Sequence, residues 1–210
     1  MYHLPTYQEK DQQKIIAFIQ QYPFATLIGV SAEQQPVATQ IPILIKERDG
    51  QLFLTGHMMK QTDHHKAFLD NSHALVLFNG PHTYVSASWY DNKQQASTWN
   101  YMTVHARGVM RYLPDEALPE MLDELTSHFE NNPDSPSLYK ELPTDYLQRL
   151  MKAIVAFEIK VERTDAIFKL SQNRDEKSFG QIIQKLETGD HDAQRIAEEM
   201  RGIERKVDRP

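Results

Sequence analysis

The stretch that organises the chain is FNGPHTYVSASWYDNKQQASTWNYMTVHARG, which runs from Phe78 to Gly108. It contains both tryptophans of the protein, Trp89 and Trp99, among many hydrogen-bonding side chains on segments with the composition of β-strands. Any one of these aromatic residues alone is more typical of an ordinary core. Their concentration on rigid strands favours a site for a planar, polar ligand.

The composition narrows the class of protein. A chain of 210 residues is long enough for one domain with a sizeable core. Its 23 basic and 29 acidic residues give a net charge of -6, so no overall positive field favours nucleic acid or an anionic membrane. There is no cysteine, the first ten residues lack the apolar core of a signal peptide, and no apolar run could span a bilayer. We therefore expect a soluble, cytoplasmic protein without a membrane partner.

Short apolar runs separated by turn-like segments predict an antiparallel sheet. The segments SAEQQ and ERDG have the composition of turns. Pro36 and Pro42 indicate a strand start and an edge or bulge, because proline donates no ladder hydrogen bond. The predicted strands are residues 25–30, 36–46, 51–56, 74–80, 83–90, 98–113 and 154–170.

Helices are predicted at the ends of the chain and between strands. Thr6 and Glu9 have the spacing of a capping box and predict a first helix that ends near Tyr22. Residues 57–73 resemble a polar loop that leads into a short helix. Further helices are predicted from Pro114 to about Phe129, over residues 143–153, and twice within 174–206. Together these elements predict an α+β protein built on a small antiparallel barrel of six or seven strands.

Four separated blocks of the sequence resemble the PaiB family of FMN-binding negative transcriptional regulators. They are GHMMKQTDHHKAF, GPHTYVSASWY, STWNYMTVHARG and KLSQNR, the last of which covers Lys169 to Arg174. The resemblance covers nearly the whole chain. It implies the FMN-binding split barrel, the fold of pyridoxamine phosphate oxidase, in which a homodimer binds two FMN molecules at its subunit interface.

The resemblance also implies a domain organisation. We expect an FMN-binding split-barrel domain over residues 1–173, with a helical insertion at about 114–152. Residues 174–210 would then form a C-terminal helical appendage of the same domain. With 210 residues in all, we expect no second complete domain.

The segment from Thr55 to Lys66 is the predicted binding site for the phosphate of FMN. Its lysines and threonines lie between a strand end and a helix start, where backbone amides and the helix dipole favour an anion. Without the resemblance, a short lysine-containing loop is more often simply solvated. The predicted contacts are Thr55, His57, Lys60, Thr62 and Lys66.

Trp99 and Asn100 are the predicted lining of the flavin ring. An indole supplies an aromatic wall, and an amide both donates and accepts hydrogen bonds. Lys169, Gln172 and Asn173 lie at the end of the final strand, and binding sites commonly lie at the ends of such elements. We expect them to close the site, either from the same chain or from the partner subunit.

The sequence disfavours two other kinds of site. His57, His64 and His65 are the best histidine cluster, but adjacent residues on a helix do not share a face and no His-Glu-x-x-His pair is present, so no metal is expected. The C-terminal helices have the outline of a helix-turn-helix. The second of them is acidic, which makes direct DNA binding doubtful and favours a packing role.

Two classes of function remain open at this point. One is a flavin-carrying transcriptional regulatory protein that acts through partners. The alternative is a flavin-dependent oxidoreductase that acts on a small substrate. No residue stands out as a general base, and because the cofactor supplies flavin chemistry, the sequence does not name a substrate.

Overall fold

Antiparallel strands form the main body of the protein, whose computed structural model describes residues 4–203. The strands are β1 (Gln8–Glu9), β2 (Phe24–Val30), β3 (Pro36–Pro42), β4 (Leu44–Arg48), β5 (Gln51–Met59), β6 (His73–Val85), β7 (Thr98–Tyr112) and β8 (Ile154–Lys169). The α-helices are α1 (Gln12–Gln21), α2 (Asp63–Asp70), α3 (Leu118–Glu130), α4 (Thr144–Met151), α5 (Glu176–Leu186) and α6 (His191–Arg201). The predicted α+β class is confirmed. No helix among these residues is long and apolar enough to cross a membrane.

The hairpin of β4 and β5 shows how local sequence sets the sheet. The strands pair antiparallel, with Arg48 opposite Gln51. Asp49 and Gly50 between them have φ angles of 53° and 75°. An Asp-Gly pair with both φ angles positive forms the type I′ turn, whose twist matches that of paired strands.

The strands are hydrogen-bonded in the order β3-β2-β6-β7-β8-β5-β4, and β1 pairs with β8. Strand β3 therefore lies at one end of this order, with Pro36 and Pro42 as its first and last residues. The edge position predicted from these prolines is confirmed. The run predicted as one strand over 36–46 is two strands, because Pro42 ends β3 and β4 pairs elsewhere.

The stretch from 73 to 90 also differs from its prediction. Two strands were expected there, but β6 continues through Pro81 to Val85. Its pairing with β2 covers only Leu75–Leu77, so the missing amide proton of Pro81 removes no bond from that ladder. Residues Ala87–Trp89 form a 3-10 turn, so Trp89 is not on a strand.

The first helix begins later than the capping box predicted. Residues Pro5–Tyr7 form a 3-10 turn and Glu9 belongs to β1, so the Thr6–Glu9 assignment is wrong. Asp11 caps α1 instead, because its Oδ1 accepts a hydrogen bond of 2.9 Å from the amide of Gln13. Side-chain capping of this kind stabilises a helix start by about 1 kcal/mol.

The described residues divide into two compact units. The first comprises residues 4–18, 79–104 and 165–203, and the second comprises 19–78 and 105–164. Helices α5 and α6 belong to the first unit, and α3 and α4 belong to the second. Residues 204–206 of the predicted C-terminal helices lie outside the described residues.

Each unit has its own set of buried side chains. In the first they include Tyr90, Ile167, Ile182, Leu186, Ile196 and Met200. In the second they include Leu27, Leu54, Val76, Phe78, Phe157 and Ile159. Helix α3 adds Leu118, Met121 and Leu125, which pack with Ala156 of β8.

Gly108 on β7 permits a close approach of two strands in the second unit. A Cβ atom at this position would lie 2.1 Å from the carbonyl oxygen of Lys160 on β8. That oxygen belongs to the backbone and cannot move aside as a flexible side chain could. Only glycine therefore fits at this position of the strand.

Candidate functional site

Two polar side-chain atoms on β5 are buried without hydrogen-bond partners among the described residues. Thr55 and His57 are two residues apart on the strand, so they project from the same face. Thr55 is 4 % exposed, and neither its hydroxyl nor Nδ1 of His57 has a partner among the described residues. An unsatisfied buried polar atom costs about 1–3 kcal/mol. A bound molecule that reached these atoms would recover that free energy.

The neighbours of this polar pair come from adjacent strands. Thr55 lies opposite Leu44 of β4 and Glu158 of β8, and His57 lies opposite Ala156 of β8. Burial lowers the pKa of His57, so the neutral imidazole is the favoured form. A neutral ring offers one nitrogen as a donor and the other as an acceptor, which suits the polar atoms of a ligand.

A tight turn carries the chain from β5 into α2. Gln61 in this turn has a positive φ of 68°. Thr62 caps the helix, because its Oγ1 accepts a 3.3 Å hydrogen bond from the amide of His65 and donates one of 2.9 Å to the carbonyl oxygen of Met59. The hydroxyl of Thr62 is therefore committed to the cap, and its predicted contact with phosphate would have to replace these bonds.

The two predicted lysines have different surroundings. The Lys60 ammonium lies 3.1 Å from Oδ1 of Asp115, in the 3-10 turn Asp115–Ala117, and its backbone amide donates to the carbonyl oxygen of Ala153 at 2.8 Å. Lys66 is exposed on α2, without a side-chain partner among residues 4–203. Lys60 is thus held in place by its backbone, whereas its charge is shared with an exposed carboxylate.

His65 reports the electrostatic character of this segment. Its pKa is lowered, first by burial and then by the positive charges of His64, Lys60 and Lys66. Tyr112 donates a 2.8 Å hydrogen bond to the carbonyl oxygen of His65, and burial raises the pKa of this tyrosine to about 12. The segment therefore combines nearby cationic side chains with a fixed backbone, as an anion site requires.

In the first unit, Trp99 and Asn100 project from opposite faces of β7. Trp99 is 51 % exposed, whereas Asn100 is fully buried. The amide oxygen of Asn100 accepts a 3.0 Å hydrogen bond from Ser171, and its amide nitrogen lies 3.5 Å from the sulfur of Met200. Because neighbouring strand residues face opposite sides, the structure does not bring both predicted residues to one ligand face. Contact of Asn100 with the flavin stays a prediction, and the burial of the Asn100 side chain disfavours it.

The end of β8 and the turn that follows it hold the remaining predicted residues. Lys169 is 7 % exposed, and its ammonium donates to the carbonyl oxygen of Trp99 at 2.6 Å and to Oγ1 of Thr98. The side chain of Gln172 accepts from the amide of Leu170 and donates to the carbonyl oxygen of Phe168. Gln172 therefore shapes the turn rather than presenting a free amide. Asn173 is exposed.

Three further residues belong with these groups but were not singled out from the sequence. Tyr84 and His82 of β6 lie beside Trp99, with ring centroids 5.9 and 6.2 Å from it. His82 and Tyr84 are two residues apart in β6, a spacing that places side chains on one face of a strand and could have indicated both. Asp115 had no such signal, because it lies far from Lys60 in the sequence and follows a proline like many exposed turn residues.

The predicted site residues thus form two groups, one in each unit. Thr55, His57, Lys60, Thr62 and Lys66 belong to the second unit, and Trp99, Asn100, Lys169, Gln172 and Asn173 belong to the first. Among the described residues, no group of three or more histidine or acidic side chains is arranged to hold a metal ion.

Comparison with solved structures identifies the fold. The FAD and heme binding protein from Mycobacterium smegmatis is 20% identical, with a TM-score of 0.59 and coverage of 78% of this chain and 73% of that one. The flavocytochrome Anf3 from Azotobacter vinelandii is 15% identical, with a TM-score of 0.56 and coverage of 86% and 78%. At these identities the likeness concerns the fold alone. The fold is an antiparallel split barrel with peripheral helices, as predicted.

Comparison of sequences identifies the family. A family model described as "Putative FMN-binding domain" matches residues 1–163. The protease synthase and sporulation protein PAI 2 of Bacillus subtilis is 33% identical over 200 residues, which cover 94% of this chain and 96% of that protein. The chain belongs to this FMN-binding family, the PaiB family. FMN is its cofactor, and the predicted family and cofactor are confirmed.

Proposed function

We propose that the protein is an FMN-carrying regulatory protein that acts through partner proteins, with the FMN phosphate bound by the segment from Thr55 to Lys66. The observation that carries this assignment is the pair of unsatisfied buried atoms, Thr55 Oγ1 and His57 Nδ1, on the strand that leads to Lys60. Polar ligand atoms would satisfy this pair, and Lys60 and Lys66 supply positive charge for the phosphate dianion.

The exposed aromatic residues of the first unit support a further part of the proposal. Trp99 and Tyr84 are 51 % and 48 % exposed and lie in edge contact. Large exposed aromatic side chains that touch each other are typical of ligand or subunit contacts. We assign Trp99 to the wall of the flavin ring and the aromatic pair to the two-fold contact of a homodimer.

The regulatory part of the proposal is supported by the Bacillus subtilis relative, whose name associates it with protease synthesis and sporulation. Direct action on DNA is disfavoured by helix α6. Its apolar side is buried through Ala193, Ile196, Ala197 and Met200. Of its acidic residues, Asp192 lies 3.5 Å from His82 and Glu198 lies 2.7 Å from Arg195. A helix packed in this way presents carboxylates where DNA recognition needs cations.

The visible spectrum of the purified protein tests the cofactor and the class of function together. We expect a flavin spectrum, after purification or after addition of FMN, that NADH and NADPH do not bleach in air. A protein that is purified colourless and also fails to take up added FMN would contradict flavin carriage. Sustained oxidation of NADH or NADPH with bound flavin would favour the alternative oxidoreductase.

Sedimentation tests the assembly. We expect the FMN-bound protein to sediment at twice the chain mass of 24.4 kDa. Tyr84→Ser and Trp99→Ser, combined in one variant, should weaken that dimer, and Tyr146→Ser serves as a control because Tyr146 is an exposed aromatic residue of α4. A wild-type monomer that carries FMN would contradict the two-fold site.

Gel-shift measurements test the absence of direct DNA recognition. At physiological salt we expect weak binding to any DNA fragment, with no preference among promoter sequences, because the net charge is -6. Tight and sequence-selective binding by the isolated protein would overturn this part of the proposal.

A further inference from the structure

The ammonium of Lys169 is buried among neutral groups. It donates to the carbonyl oxygen of Trp99 at 2.6 Å and to the hydroxyl of Thr98, and it lies 5.9 Å from the ring centroid of Tyr7. Among residues 4–203, no carboxylate lies within ion-pair distance of it. A buried cation without an opposite charge is costly, because neutral acceptors replace only part of its hydration.

The turn that follows Lys169 holds this cation rigidly. Ser171 has a positive φ of 59° and donates to the fully buried Asn100. Gln172 bonds to the backbone on both sides of Lys169, at Phe168 and Leu170. The ammonium is therefore fixed before any ligand arrives, so an anion bound there would not have to order it.

The chemistry of the ligand follows from the number of donors. A lysine ammonium has three N–H groups, and two of them are used within the fold. One N–H and one positive charge remain. That combination matches a single acceptor atom with one negative charge better than a phosphate dianion, which needs several donors.

We infer that Lys169 is a binding subsite for a singly charged anion, distinct from the phosphate-binding segment. Two sources share this chemistry. One is the N1–C2=O edge of reduced FMN, which carries one negative charge after uptake of two electrons and one proton; this source rests on the proposed function. The other is the carboxylate of a small ligand. Burial, followed by the charge of Arg174, lowers the pKa of Lys169, as expected for a cation that lacks a counter-ion.

The first arm of the test uses apoprotein and acetate. Wild-type protein should melt about 2–4 °C higher in sodium acetate than in sodium chloride of the same ionic strength. Lys169→Met, which keeps the length of the side chain without its charge, should melt alike in the two salts. Lys169→Arg, which keeps the charge, should retain the difference.

The second arm uses the FMN-loaded protein, with dithionite as the source of the two electrons. If the flavin edge is the anion, Lys169→Met should lower the midpoint potential of bound FMN by about 30 mV for each tenfold loss of preference for the reduced form. Lys169→Arg should restore most of that shift. A shift in the midpoint potential without a rise in melting temperature in acetate assigns the subsite to the flavin. A rise in melting temperature in acetate without a shift in the midpoint potential assigns it to a small carboxylate.

Absence of both effects would overturn the inference. If wild-type protein binds FMN in that experiment, the proposed function stands without the Lys169 subsite, so the two failures are distinguishable. If Lys169→Met does not fold, Lys169→Gln replaces it in both experiments. Independently of the variants, equal melting temperatures of the wild-type protein in acetate and chloride exclude the carboxylate.

Discussion

Nζ of Lys60 lies 3.1 Å from Oδ1 of Asp115, so a carboxylate from the turn before α3 contacts the lysine that we assign to the FMN phosphate. A phosphate that binds Lys60 must share the ammonium with this carboxylate or displace it. The Asp115 side chain is exposed, and exposed ion pairs contribute about 0–1 kcal/mol. Displacement of Asp115 by the phosphate dianion would therefore cost at most about 1 kcal/mol.

Removal of this competing charge should strengthen FMN binding. Asp115→Asn is expected to tighten FMN by up to about fivefold while leaving riboflavin unchanged, because only FMN carries the phosphate. Calorimetric titration of both ligands measures the difference. Glu124→Gln is the matched control, since Glu124 forms a 2.6 Å contact with Lys46, another lysine of the same unit. Weaker FMN binding by Asp115→Asn would show that the carboxylate helps to hold the site.

Removal of the lysine itself should have the opposite effect. Lys60→Ala is expected to weaken FMN by about tenfold or more and to affect riboflavin little, because a charge-assisted hydrogen bond is worth about 1.5–3 kcal/mol. Lys140→Ala, at an exposed lysine, is the control. Equal losses for the two ligands would remove Lys60 from the phosphate site.

Trp99 should report the flavin ring by fluorescence. The half-exposed indole of Trp99 can approach a ligand from solvent, so FMN binding should quench it, and Trp99→Phe should remove most of the quenching without loss of fold. Trp89→Phe is the control, since the 3-10 turn places Trp89 away from the strand. Full quenching in the Trp99→Phe protein would exclude this strand from the ring site.

Replacement of Asn100 should lower the free energy of unfolding rather than the affinity for FMN. Asn100→Ala leaves the buried hydroxyl of Ser171 without its 3.0 Å acceptor, and a loss of this kind costs about 1–3 kcal/mol of unfolding free energy. Urea unfolding of Asn100→Ala, Ser171→Ala and the double variant measures it, and the two losses should not be additive. A large loss of FMN affinity with unchanged stability would instead restore the contact predicted from the sequence.

His57 should make the protein less stable in mild acid. Burial lowers its pKa in the folded state, so below the unfolded value of about 6.5 the unfolded chain binds more protons. The contribution of neutral His57 to the free energy of unfolding is then complete above about pH 6.5. As the pH falls below this value, the free energy of unfolding decreases by at most about 1.4 kcal/mol per pH unit for this group. His57→Gln should flatten the decrease, whereas His73→Gln, at an exposed histidine, should leave it unchanged. An identical slope in His57→Gln and wild type would contradict the assignment.

Several features were determined by the sequence alone because their causes are local. The Asp-Gly turn between β4 and β5 needs only two residues that tolerate positive φ. The edge position of β3 follows from two prolines that cannot donate to a ladder. The FMN-binding family is evident from blocks of residues that keep their order and spacing.

Other features were decided only by the tertiary structure, because they depend on contacts between residues far apart in the chain. Thr6 and Glu9 have the spacing of a capping box, yet pairing of Glu9 with Ala166 places it in β1 and leaves Asp11 to cap the helix. Asn100 and Ser171 are buried partners 71 residues apart. No pattern near either of them indicates that pairing.

The same distinction applies to charge and exposure at the candidate site. The sequence shows Lys60, Trp99 and Lys169 as equally available. Folding brings Asp115 to Lys60 and leaves Trp99 half exposed. It buries the ammonium of Lys169 among neutral acceptors. The free energy of a charge depends on its surroundings, and those surroundings are supplied by segments that the local sequence does not contain.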